Sequence, residues 1–227
     1  HGATQAVTSL FGESSDTFSF GAILRARSTI CSLTRYTTST ASVILASSDP
    51  VWWHGHADGQ AGVAHMHGDI TTRVGSVHPN TDWVLQCTRT GALARTLVNG
   101  FDRTNGHRAG QVNDGSQLLV NGIKASFGDF AIAEVMVWER ELSDSEMWDA
   151  MSYLQARTLG DAGFAAFGLH RPMNSFNLSS HFAESVASAS DASDTQAFQT
   201  HSSEVLDCQE QGRVVWSSGY TLATIHH

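Results

Sequence analysis

Basic residues are scarce in this chain: 13 Lys and Arg against 22 Asp and Glu leave a formal net charge of -9 over 227 residues. No basic run occurs anywhere, and that excludes the positive face which nucleic acid or an anionic membrane surface demands. Long hydrophobic runs are missing too, so nothing approaches the length of a membrane span. There is no G-x-S-x-G nucleophile elbow and no glycine-rich loop closing on Lys-Ser or Lys-Thr, which removes that acyl-transfer motif and the phosphate cradle. Cysteine is limited to Cys31, Cys87 and Cys208, an odd number that leaves one over whatever pairs. The chain opens on His1 rather than Met, as a processed chain or a piece of a longer one would.

What is present is a succession of short apolar segments punctuated by Gly, Asn, Asp and Ser, the pattern of an all-β domain. The expected strands are 18–25, 28–36, 42–46, 51–54, 62–67, 70–74, 83–89, 94–98, 117–120 and 131–138. A chain of this size can bury one substantial core, and a β-sandwich of this length is ordinary as a single domain. The stretch from Phe130 to Leu159 carries the clearest pattern. Strict alternation places Phe130, Ile132, Glu134, Met136 and Trp138 on one side of a buried strand, with Ala131, Ala133, Val135 and Val137 on the other. Ser143 then stands three residues before Glu146, the spacing of a capping box, so a helix starts there. Met147, Met151 and Leu154 give it one apolar stripe, and Gly160 is placed to end it.

The run IAEVMVWERELSDSEMWDAMSYLQART resembles the closing segment of laminin-G-like, concanavalin A-like lectin domains. There a last core strand, here Ile132 to Val135, leads through an R-x-L-S-x-x-E turn, here Arg140, Leu142, Ser143 and Glu146, into a short helix. FSFGAI at Phe18, STICSLTRY, DWVLQCTR near Trp83 and LVNG at Leu97 to Gly100 follow in the order of that family's jelly-roll strands. The resemblance covers roughly residues 10 to 159. It implies an antiparallel jelly-roll sandwich over 1–160, with one short helix after the last core strand, and a habit of binding sugars or proteins.

Beyond Gly160 periodicity fades, and Ala183 to Asp194 is almost entirely Ala, Ser and Asp. Such side chains bury too little to offset the entropy of ordering, so the expectation for 161–227 is an irregular, extended tail docked along the sandwich or on a neighbouring subunit. Cys31 and Cys87 both fall in strands, in phase with apolar neighbours. They either bridge across the sheet or remain two buried thiols. Secretion would favour the bridge, and the acceptor triplet Asn177-Leu178-Ser179 points the same way, so the expected location is extracellular or at the cell surface.

Candidate site residues follow from chemistry. His54-Gly55-His56 and His65-Met66-His67 are two His-x-His pairs flanking a glycine-rich turn, and residues two apart on a strand share a face. Closed as a hairpin they would bring four imidazoles to one patch suited to zinc or copper; otherwise they are histidines bonded to backbone or water. His1 suggests, on two residues alone, a copper brace. Trp52 and Trp53 are adjacent, so one points inward and the other is a sugar platform or a cap on the sandwich end. With His54, His56, Asn113 and Asp114 they form the expected ligand-binding set. The resemblance adds calcium, for which Asp102, Asp114 or Asp129 would supply oxygens, although Asn and Asp at these places, like Asn99, Asn105 and Asn121, also serve as turn formers. Glycoside hydrolysis needs two carboxylates flanking a bond, and no strand carries the alternating acids of the related hydrolases. Glu134, alone in an apolar strand, is read as the partner of a loop or of Arg140. The expected protein is thus a non-catalytic module binding protein subunits and carbohydrate, with a glycan-active enzyme and a His-rich metal-binding module as the alternatives.

Overall fold

The computed structural model describes residues 2–48, 51–66, 68, 70–72, 74–105, 112–122, 128–166 and 223–226, with side chains omitted for 159–166 and 223–226. Two antiparallel sheets face each other in a β-sandwich, as expected from the sequence. One sheet runs β1 (Leu10–Gly12), β11 (Phe130–Trp138), β3 (Thr29–Tyr36), β7 (Val84–Arg89), β8 (Arg95–Val98) and β9 (Phe101–Asp102). The other runs β2 (Phe18–Ser19), β10 (Leu119–Val120), β4 (Leu45–Ser48), β5 (Val51–Ala57) and β6 (Gln60–Met66). The inner faces meet in an apolar layer that includes Ile30, Tyr36, Leu45, Trp52, Met66, Leu118, Phe130, Val135 and Val137. A second apolar layer lies on the outside of the first sheet, where α1 (Asp144–Ala166) packs Met147, Met151 and Leu154 onto Leu33, Leu85, Leu97 and Met136.

The capping box forms as expected: Ser143 N donates to Glu146 Oε2 at 2.7 Å, and Glu146 N donates to Ser143 Oγ at 3.3 Å. Arg140 grips both oxygens of the same carboxylate at 3.1 and 2.7 Å, so Glu146 titrates down at about 2. Gly160 does not end the helix, which continues to Ala166. The N-terminal segment reaches that turn: Thr4 N and Gln5 N donate to Thr158 O, and Gln5 Nε2 to Ala156 O and Arg157 O.

Strict alternation along β11 fails at one residue. The register with β3 slips between Ile132 and Glu134, so Ala133 is the extra residue of a β-bulge. Phe130 and Ile132 therefore face the inter-sheet core together with Val135 and Val137, while Ala131, Ala133, Met136 and Trp138 face the helix. The bulge turns Glu134 toward α1, where Tyr153 Oη donates to it at 2.8 Å and Arg157 Nε stands 3.5 Å away. Its partners are thus on the helix, and neither a loop nor Arg140 holds it. Burial raises the Glu134 carboxyl to about 7, against the lowering pull of Tyr153 and Arg157.

Of the segment 70–74, expected as a strand, the described residues 70–72 and 74 form no strand; 70 and 71 cap the edge of β6, where Ile70 N and Thr71 N both donate to Ala64 O and Thr71 Oγ1 accepts from Ala64 N. Cys31 and Cys87 stand directly opposite each other on β3 and β7 and form a disulfide. Cys208, Asn177 and Ala183 to Asp194 lie outside the described residues. The tail's one described element, β12 (Ala223–His226), pairs in parallel with β11 of its own chain, from Val135↔Ala223 to Trp138↔His226.

Candidate functional site

Among the described residues, a cleft of about 430 Å³ opens between the loop that caps β6 and the turn after β9. One wall is built on β6. Ser76 N and Val77 N donate to Ala61 O, and Gly75 N donates to Gln60 Oε1 at 2.8 Å, so 74–77 folds back along the strand. This close approach requires glycine at position 62: its φ of +78° suits no other residue well, and a Cβ there would come 2.4 Å from Ser76 Oγ and 3.0 Å from Val98.

The other wall is a turn locked by Asp102, whose Oδ1 accepts from Thr104 N at 3.0 Å and from Thr104 Oγ1 at 2.6 Å, while Oδ2 accepts from Arg95 Nε at 2.9 Å. These bonds hold the Asp102 carboxyl below its usual value although burial pushes the other way. Asn105 N donates to Ile70 O at 2.6 Å and ties the two walls together. Thr71, Thr72, Ser76, Arg103, Thr104 and Asn105 line the cleft with hydroxyl, amide and guanidinium groups. Phe101, 62% exposed, is not itself a lining residue but adjoins the lining through Arg103, whose guanidinium stands 5.3 Å from its ring centre. An apolar face next to several convergent polar groups is the equipment for holding a polyhydroxylated ligand.

The expected ligand set lies elsewhere and is dispersed. Trp52 is fully buried in the inter-sheet core, and Trp53 points to the opposite face of the same strand. There Trp53 stacks on His65, with ring centres 4.3 Å apart and planes at 15°. Asn113 and Asp114 are exposed turn residues. Asn113 O accepts from Ser116 N and Oγ, and Asp114 Oδ1 accepts from Ala26 N at 2.7 Å.

Four converging imidazoles do not form. His54 and His56 face inward, His65 faces outward, and His67 and His1 lie outside the described residues. The inner pair meets hydroxyls of the facing sheet: His54 Nε2 lies 3.1 Å from Ser32 Oγ, and His56 Nδ1 3.3 Å from Thr34 Oγ1. Gln86, on the next strand, donates to Val63 O at 3.1 Å and approaches His54 Nδ1 at 3.5 Å. Burial drives both imidazoles down to about 3, His56 further pressed by its neighbour His54, so both are neutral.

The three calcium candidates are equally separate, each spent on a turn. Asp102 binds Arg95 and Thr104, Asp114 binds Ala26, and Asp129 takes Ser14 N at 2.8 Å and Thr38 Oγ1 at 2.7 Å. Among the described residues no three His, Cys, Asp or Glu side chains gather in a metal-binding group. Of the cleft residues, Asp102 and Asn105 are visible in the sequence as a calcium candidate and a turn former, whereas Arg103, Thr104 and the wall of Thr71, Thr72, Val74, Gly75 and Ser76 are not. The one available signal was Phe101-Asp102-Arg103-Thr104-Asn105 itself, an aromatic followed by four polar residues just after a turn.

No family model matches the chain, and no curated protein matches it in sequence. Among solved structures the chain is similar to a native heptameric SAP-like pentraxin from Limulus polyphemus, at 12% identity over 66% of this chain and 78% of that one, with a TM-score of 0.41. It is also similar to domain 4 of AbnA, a GH43 extracellular arabinanase from Geobacillus stearothermophilus solved with arabinotriose, at 12% identity over 65% and 82% and a TM-score of 0.41. A Trypanosoma rangeli sialidase solved with sialic acid matches at 13% identity over 58% of this chain and 24% of that one, with a TM-score of 0.37. Likenesses this distant carry nothing about site or activity.

Proposed function

We propose that this chain is a non-catalytic recognition module that binds carbohydrate in the cleft between the β6 loop and the β9 turn and works outside the cell. The observation that carries the reading is the cleft itself, about 430 Å³ of open, hydroxyl- and amide-lined space with Arg103 and the exposed Phe101 at its side. A sugar ring lays its C–H face on an aromatic and satisfies its hydroxyls with fixed polar groups. Asp102 is the one carboxylate among the described lining residues, and it is committed to Arg95 and Thr104, whereas hydrolysis of a glycosidic bond asks for two opposed carboxyl groups. Glu134 has a suitably raised pKa but sits beneath α1, away from this cleft. The Cys31–Cys87 bridge supports an oxidising compartment.

A glycan array followed by calorimetry tests the reading. Wild-type protein is expected to select a defined set of glycans, and Phe101→Ala and Arg103→Ala each to weaken binding roughly tenfold or more, since truncated anchor residues commonly cost over 1 kcal/mol. Both variants should keep the wild-type unfolding midpoint. Absence of glycan binding, or binding indifferent to both substitutions, defeats the cleft; turnover of any polysaccharide defeats the non-catalytic half.

A further inference from the structure

Donors and acceptors along the cleft are unequally committed. Each of its hydroxyls already gives its proton inside the protein: Thr71 Oγ1 to Thr72 O at 3.0 Å, Thr72 Oγ1 to Val74 O at 3.2 Å, Ser76 Oγ to Gly62 O at 3.2 Å and Thr104 Oγ1 to Asp102 Oδ1 at 2.6 Å. Toward a ligand these oxygens act as acceptors. The side-chain N–H groups of Arg103 and Asn105, which also line the cleft, have no acceptor among the described residues. Charge is uneven as well. Asp102 and Asp144 are matched by Arg89 and Arg95 in one network, at 2.9 Å from Arg89 to Asp144, 2.9 Å from Arg95 to Asp102 and 2.6 Å from Arg95 to Asp144. Arg103 stands outside that network, stacked on Phe101, and no described carboxylate pairs with it. The cleft thus carries an uncompensated cation in a chain whose formal net charge is -9.

We propose that the glycan taken by this cleft carries a single sugar carboxylate, as a uronic acid does, paired by the Arg103 guanidinium with Asn105 donating beside it. The inference rests on the carbohydrate reading of the cleft and names its ligand class. A guanidinium presents a planar fork of N–H groups that meets a carboxylate in two parallel bonds, and charge-assisted bonds of this kind are about twice as strong as neutral ones. Stacking on Phe101 restricts that fork before a ligand arrives, which lowers the entropy cost of binding. The ring hydroxyls of the same sugar are donors that the oxygens of Thr72 and Ser76, their own protons already committed, can accept. One cation matches one anion. A densely sulfated polyanion asks for a basic surface, whereas the described lining offers Arg103 alone.

Calorimetry on the full chain with matched oligosaccharides tests the proposal. A glucuronate-terminated oligosaccharide is expected to bind about tenfold tighter or more than the same oligosaccharide with its carboxyl reduced to the alcohol, and added salt should narrow the difference. Arg103→Gln removes the charge and should bring the two affinities together. A sialylated oligosaccharide separates the two carboxylated sugar classes: preference for either acid over the neutral analogue supports the pairing, and their ratio assigns the class. Equal affinity for acid and alcohol, a preference that survives Arg103→Gln, or tighter binding of a sulfated sugar than of glucuronate overturns it. Failure of the cleft itself reads differently. Neutral and acidic sugars bound equally, and lost together on Phe101→Ala, leave the cleft standing and remove the acidic class; binding of no glycan at all removes both.

Discussion

His54 and His56 show what a residue pattern does and does not convey. Spacing by two tells that both imidazoles share a face, and they do; it does not tell which face. The answer lies in the facing sheet, where Ser32 and Thr34 supply hydroxyls inside the sandwich at 3.1 and 3.3 Å. Those hydroxyls are remote in sequence, and no local signal links them to the histidines. The same two imidazoles set the pH response. Their folded pKa of about 3 lies below the ordinary 6.5, so the stability they contribute is present above 6.5 and is lost as pH falls toward 3. Glu134 acts oppositely: raised from 4.5 to about 7, it favours the fold as pH drops from 7 to 4.5 and costs stability once ionised above 7. Between 4.5 and 6.5 the glutamate offsets one histidine; below 4.5 the two histidines act unopposed and Glu146, held down at about 2, adds in the same direction, so the slope reaches about 3 kcal/mol per pH unit or more. Urea unfolding from pH 4 to 8 should therefore show a plateau near neutrality and an acid limb that steepens below 4.5. Glu134→Gln should roughly double the slope between 4.5 and 6.5. An acid limb shallower than about 1 kcal/mol per pH unit below 4.5 would mean that the imidazoles are not buried and neutral.

At the level of elements, the strand-turn-helix unit was the most legible part of the chain because its determinants are local. Ser143 and Glu146 satisfy each other's amides across three residues, and Met147, Met151 and Leu154 make one stripe. Removing the cap tests how much that local pairing contributes. Ser143→Ala should lower stability by about 1 kcal/mol, with the Glu146 backbone amide losing its acceptor, and differential scanning calorimetry would read the drop as a few degrees in Tm. An unchanged Tm would show that the Arg140–Glu146 pair alone secures the helix start. The bulge at Ala133 was illegible for the converse reason: apolar residues occupy both faces of the strand on either side of Glu134, and only pairing with β3 shows where one residue is skipped. Ile70 and Thr71, placed in an expected strand, misled in the same way. Ile70 is buried as a strand residue would be, yet it is buried by folding back on β6. The cleft inherits both difficulties, since one of its walls is that loop and the other is a turn whose Asp and Asn have an adequate local explanation.

For the molecule as a whole, the sandwich follows from strand order, and its cohesion depends on two central strands that the disulfide joins. Cys31 and Cys87 are 56 residues apart in sequence and adjacent in space. Sequence left the bridge open because phase with apolar neighbours fits a buried thiol and a half-cystine equally. Registry decides it, since β3 and β7 bring the two residues face to face. Closing a loop of that length restricts the unfolded chain by an amount worth about 4 kcal/mol in the chain-entropy account. Most of a small domain's net stability is of that order. The bridge also lies in the layer beneath α1, among Leu33, Leu85, Leu97 and Met151, so its loss acts on both layers of packing. Cys31→Ala with Cys87→Ala keeps that layer apolar while removing the bond. The double variant is expected to lose about 2 to 4 kcal/mol of unfolding free energy in urea. Wild-type protein should move the same way when a reductant is added, and the variant should not respond to it. If reduction left the wild-type midpoint in place, the sandwich would owe its stability to the two apolar layers alone.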